Sequence, residues 1–137
     1  MNRVKDIKSN GKVYAQIYDL NSNEGVIFPT DDSAEMQCGF GTIKDTTKKP
    51  PHIHKVLKRE TVNTSEFFFI YKGSVAVSFF DENENLIGSQ DVKAGMGFIQ
   101  FIGGHGFVFE PNTKYIEVKQ GPYLGNLNDK YFINNDS

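Results

Sequence analysis

The chain is expected to fold as an all-β protein, an antiparallel jelly-roll barrel or sandwich, and three observations predict this. Short apolar runs recur along the sequence with turn residues between them. No window carries an i, i+3, i+4 apolar stripe over three turns, so helix is scarce. Twelve Phe, six Tyr and 13 Gly, with no Trp, suit strands and tight turns better than a helix bundle. The 137 residues are read as one domain over 1–137, with a barrel core at about 13–120 and a polar tail at 125–137.

The expected strands, in order, are 13–18, 25–28, 35–43, 52–57, 66–71, 74–80, 86–92, 96–101, 106–109 and 114–119. Clusters rich in Asn, Asp, Gly, Pro and Lys separate them, among them Asn21-Ser22-Asn23, Lys48-Lys49-Pro50-Pro51, Asp81-Glu82-Asn83-Glu84-Asn85 and Gly103-Gly104. Two hairpins stand out. One joins 66–71 to 74–80 through Lys72-Gly73, and the other joins 74–80 to the strand at Leu86 through the acidic, Asn-rich loop. Within 66–71, Glu66, Phe68 and Ile70 share one face and Phe67, Phe69 and Tyr71 the other. Both faces are apolar, so this strand is expected to be covered on both sides, by a second sheet or by a dimer partner. The polar tail is expected either to dock through its isolated Tyr131-Phe132-Ile133 or to fray.

Fifteen Lys plus Arg against 17 Asp plus Glu, a net charge of −2, leaves no basic footprint for a nucleic-acid partner. The charged start, Met1 to Lys8, is followed by no apolar stretch of a secretory signal. No run reaches the roughly 18 apolar residues of a membrane span, so a cytoplasmic protein without a membrane partner is expected. The single Cys38 excludes an intramolecular disulfide and a Cys-based zinc site, and it reads as a small core residue. The glycines around His105 precede no helix pattern and no Lys-Ser/Thr, so they make no phosphate-binding loop. No Ser-His-Asp or Cys-His arrangement suggests nucleophilic catalysis.

The three histidines carry the chemical signal. His52 and His54 stand two apart on an expected strand, so their imidazoles leave one face. His105 follows Gly103-Gly104 after a later strand. Glu66 opens the strand that ends at Lys72-Gly73.

Here the chain resembles the cupin superfamily. The family's first motif, H-x-H followed by E-x6-G, is matched by His52-Ile53-His54 and by Glu66 with six residues before Gly73. Its second motif is matched by Gly95, Gly103 and His105, with Phe101 where the family has Pro. Eleven residues separate His54 from Glu66, more than the family's usual three or four. The family's later Asn falls at Phe109. The resemblance covers roughly residues 35–120. It implies that His52, His54, Glu66 and His105 hold one divalent transition-metal ion (Fe, Mn, Ni, Co or Zn), a donor set suited to such ions. Glu60 is the rival carboxylate, but it lacks the six-residue spacing to a turn glycine.

A narrower stretch, Ile116-Glu117-Val118-Lys119-Gln120-Gly121-Pro122-Tyr123 followed by Asp129-Lys130-Tyr131-Phe132, resembles the ending of WbuC-type cupins of surface-polysaccharide biosynthesis. That resemblance implies a sugar-like small-molecule ligand. Tyr115, Glu117 and Lys119 share one face of their strand, which either lines a ligand cavity or faces water, and they are the candidate catalytic residues. Gln100 is a further candidate for the pocket. The activities implied are Lewis-acid isomerisation or epimerisation of a carbohydrate or sugar nucleotide, or, with iron, dioxygenation. The alternatives are non-catalytic binding of a sugar and a metal-free site with His as general base. A homodimer is expected from the two apolar faces of the Glu66 strand.

Overall fold

The computed structural model describes residues 3–133. The chain is all-β with antiparallel pairing. Its ten strands are β1 (Arg3–Ser9), β2 (Lys12–Asp19), β3 (Val26–Ile27), β4 (Phe40–Gly41), β5 (Glu66–Lys72), β6 (Ser74–Phe80), β7 (Leu86–Lys93), β8 (Met96–Gln100), β9 (Gly104–Phe109) and β10 (Lys114–Lys119), followed by one helical turn, α1 (Asn126–Asp129). A five-stranded sheet runs β1-β2-β8-β5-β10, a three-stranded sheet runs β7-β6-β9, and β3 pairs with β4 alone. Strands β9 and β10 each end their sheet.

Alternation decides which side chains fill the core. Ile7, Ala15, Ile17, Phe68, Ile70 and Phe98 from the larger sheet pack with Val75, Val77, Phe79 and Val92 from the smaller one. Phe98 stacks on Phe68 at 4.9 Å and meets Phe79 edge-on at 5.4 Å. Each such ring contributes roughly 1.5–3 kcal/mol by burial. The outer face of the larger sheet is also covered: Tyr18, Cys38, Phe40 and Ile99 form a second cluster, with Phe67 packed against it. The expectation of two covered faces for β5 therefore holds, and one of the covers is the 20–41 segment of the same chain. Cys38 is buried, and burial pushes its thiol up to about 11.

Five expectations are corrected. Strand β1 is not expected from sequence, because four of its seven residues are charged. It forms because Asn10 and Gly11, both at positive φ, turn the chain back onto β2, a hairpin signal that Asn-Gly carries. Strand 35–43 shortens to Phe40–Gly41, because Gln37 spends its side-chain amide on the carbonyls of Asp31 and Ala34.

Strand 52–57 does not form: residues 42–65 contain no strand and 41–64 are exposed. Pro50 and Pro51 remove two backbone donors there, and Glu35 takes the N–H groups of Val62 and Asn63. Strands β5 and β6 do not pair as a hairpin either. Both edges of β5 are taken, by β8 and β10, so the chain crosses between sheets at Gly73, whose φ of +86° and close approach to Thr113 admit no side chain. The hairpin of β6 with β7 forms as expected. Tyr131 and Phe132 remain exposed, and the tail docks instead through Asp129. Residues 134–137 of the expected tail lie outside the described residues. No helix among the described residues is long and apolar enough to cross a membrane.

Candidate functional site

At one end of the space between the sheets, β5 and β9 bring Glu66 and His105 together. Glu66 is the first residue of β5, cross-strand from Gln100 on β8 and from Lys119 on β10. His105 is the second residue of β9. The turn that delivers it needs Gly103, at φ +83°, because a Cβ there would run into the Phe80 carbonyl and the Tyr14 ring.

Gln100, 2% exposed, fixes His105. Its Nε2 donates to the carbonyls of Ile102 (3.1 Å) and Gly104 (2.9 Å), so its Oε1 is left facing His105 Nδ1 in a short hydrogen bond. An amide oxygen only accepts, so His105 carries its proton on Nδ1 and presents the Nε2 lone pair to the mouth. Phe107 stacks on the imidazole at 4.5 Å and Phe68 meets it edge-on at 5.7 Å. The ring is thus held on three sides.

His105 Nε2 stands 3.3 Å from Glu66 Oε2. The contact lacks hydrogen-bond geometry, and Oε2 is a buried oxygen with no hydrogen-bond partner. Burial, then the Glu117 charge, raise Glu66 to about 6, with Lys119 opposing. Burial, then Lys130 and Lys119, lower His105 to about 4. Near neutral pH an ionised carboxylate and a neutral imidazole therefore stand side by side, with mutual repulsion between lone pairs that open on the same space. A cation between them relieves that repulsion. Two donors each about 2.0–2.1 Å from one tetrahedral ion stand roughly 3.3–3.4 Å apart, so the observed separation fits a shared divalent ion. The Gln100 acceptor behind His105 is the kind of outer-sphere support that metal-bound imidazoles use.

The other expected ligands stand elsewhere. His52 and His54 lie on the exposed 42–65 segment, their rings 5.1 Å apart, with His52 Nδ1 3.1 Å from the Pro50 carbonyl. Among the described residues no three His, Cys, Asp or Glu side chains form a metal-binding group. Glu66 and His105 are thus half of the expected ligand set. Glu60 is exposed and pairs with Lys58 at 3.6 Å.

Tyr115, Glu117 and Lys119 are on the inward face of β10, opposite Ile70, Phe68 and Glu66 respectively. They stand at the margin, because β10 is an edge strand. Tyr115 stacks on Phe109 at 5.0 Å, and its hydroxyl has no partner among the described residues. Lys119 pairs with Asp129 at 3.5 Å and lies 5.3 Å over the Tyr123 ring. Sequence reasoning did not place Phe107 at the site, and it named Asp129 and Lys130 only as part of the C-terminal stretch, with no role there. Phe107 was legible as the inward neighbour of His105 two residues on, whereas the return of Asp129 and Lys130 over the mouth carries no local signal.

A cleft of about 610 Å³ is lined by neither Glu66 nor His105. Arg3, Asp6, Gln16, Glu35 and Phe101 are among its walls. The titratable pair is the better guide to chemistry, because its two shifts share a named physical cause. No protein-family model matches the chain, and no curated protein or solved structure matches it.

Proposed function

We propose that the protein is a jelly-roll cupin that binds one divalent transition-metal ion through Glu66 and His105, and that it acts on a small oxygenated, carbohydrate-like ligand. The observation that carries this reading is the unpartnered Glu66 Oε2 facing His105 Nε2 at 3.3 Å, with Gln100 locking the tautomer behind it. A divalent ion in that position supplies Lewis-acid polarisation of a substrate carbonyl or hydroxyl.

The surrounding residues provide the rest. Phe107, Phe109 and Tyr115 form an aromatic wall against which a sugar ring packs. The Tyr115 hydroxyl donates to a ligand oxygen. Lys119, cross-strand from Glu66, offsets negative charge at the mouth, and the exposed Glu117 carboxylate is placed to accept a proton. Isomerisation or epimerisation next to a carbonyl uses these groups, and with iron the same donors support dioxygenation. Binding without turnover uses them for positioning alone. The implied cytoplasmic setting suits an N/O donor set with a single, buried thiol.

The test is metal analysis of untagged protein after incubation with Fe, Ni, Co or Zn. The expected result is near one equivalent for the wild type, and at least a tenfold loss in Glu66→Gln and His105→Ala. Wild-type binding below about a tenth of an equivalent overturns the metal reading. A second reading then takes its place, because the unprotonated Nε2 that His105 presents to the mouth is available as a metal-free general base.

A further inference from the structure

We infer that the 42–65 segment is an exchanged arm: residues 52–57 of one copy add to the free edge of β9 in a second copy, bringing His52 and His54 to that copy's Glu66 and His105. The inference rests on the metal reading above for its chemistry and on the following observations for its geometry.

First, the arm is uncovered. Ile53 and Val56 are 95% and 101% exposed, and Ile43, Leu57 and Val62 are exposed with them. Among the described residues, the hydrogen bonds, ion pairs and ring contacts of 43–61 are internal to the segment: Thr47 to Asp45, His52 to Pro50, Lys58 to Glu60, His52 against His54. Its two roots are held to the body. Thr42 bonds Gly25 and Asn23 at one end, and Glu35 accepts from Val62 and Asn63 at the other. Pro50 and Pro51 keep the hinge extended.

Second, a complementary edge is open. β9 ends the three-stranded sheet, and Val108 and Phe109 on it are exposed, as are Tyr115, Ile116 and Val118 on β10. Such an edge is a template for another strand. Residues 52–57 match the six-residue length of Gly104–Phe109. The choice of edge follows from spacing. A strand next to β9 places same-face side chains about 4.5–5.5 Å from those of β9 at the Cβ, within reach of His105. A strand added to β10 lies two strand spacings, about 10 Å, from Glu66 on β5.

Third, the charges point to another copy as occupant. Residues 42–62 hold six Lys or Arg against two acids, so the rest of the chain holds nine basic against fifteen acidic residues. A net +4 arm and a net −6 body attract between copies. Two arms exchanged about a two-fold axis satisfy both edges at once.

The test mixes two inactive parents by co-refolding. His52→Ala/His54→Ala lacks the arm ligands, and Glu66→Gln/His105→Ala lacks the body ligands. Each alone is expected to hold little Zn²⁺ or Co²⁺. Together they recover about one quarter of the wild-type metal, because half of the dimers are mixed and each mixed dimer has one complete site. No recovery, with a wild type that binds, overturns the exchange and assigns the arm to its own copy. Light scattering decides independently of metal. The wild type is expected to be a dimer at tens of micromolar, and Ile53→Glu/Val56→Glu a monomer with unchanged circular dichroism. A monomeric wild type overturns the exchange whatever it binds. Absence of wild-type metal alongside an arm-dependent dimer overturns only the metal reading.

Discussion

His105 and the pair His52–His54 are the same side chain in two opposite situations. His105 is on a strand, three-quarters buried, its tautomer set by Gln100 and its ring clamped by Phe68 and Phe107. His52 and His54 share only local contacts on an exposed arm. The difference teaches that an H-x-H spacing makes a convergent pair only when something pairs with the backbone beneath it. Spacing of two aims side chains at one face of a strand, and without a partner strand there is no face.

The contrast is broken or sharpened by substitution. Phe68→Ala removes a ring packed against Phe98, Phe107 and His105, and is expected to cost about 3–5 kcal/mol in urea unfolding. In metal-free protein, His52→Ala and His54→Ala are expected to stay within about 0.5 kcal/mol of the wild type. Equal costs at the two places would mean that the arm is packed like the core.

Gln100→Leu leaves the His105 Nδ1–H and the carbonyls of Ile102 and Gly104 without their partner. The expected loss is about 1–3 kcal/mol in stability, with metal affinity falling roughly 10- to 100-fold. Unchanged affinity in a folded variant would show that the tautomer of His105 does not matter.

The smallest effect is a pH slope. Glu66 keeps its proton up to about pH 6 in the folded chain against 4.5 otherwise, so it costs stability as pH rises through that window. His105 stays neutral down to about pH 4 against 6.5 otherwise, so it costs stability as pH falls through its window. The two oppose one another between 4.5 and 6. In Glu66→Gln only the His105 contribution remains, and stability relative to wild type is expected to rise with pH between 4.5 and 6, by on the order of 1–2 kcal/mol after allowing for partial exposure. Urea midpoints across that range check it, and a falling difference contradicts the assignment.

Much of the framework was legible from residues alone. Eight of the ten strands, β2, β3 and β5 to β10, lie where alternation and turn chemistry put them, because period two against a buried face leaves few other solutions. Glu66 and His105 were legible as partners only through the resemblance to the cupin motifs, whose turn positions fall at Gly73 and Gly103, both at positive φ. The arm was not legible, since His52 to Leu57 has strand-like composition and the decision lies in a missing neighbour. Nor was the crossing at Gly73, where a tight glycine turn is compatible with a hairpin or with a change of sheet.

Composition and periodicity by themselves determined an all-β chain with a twice-covered central strand and an acidic, disulfide-free character. These are local or summed properties, written residue by residue. Only the tertiary structure decided that β5 pairs with β8 and β10, that Gln100 sets the tautomer of His105, and that two of the three histidines stand apart from the third. Those outcomes depend on which edges are already occupied, and an edge is a property of the whole sheet.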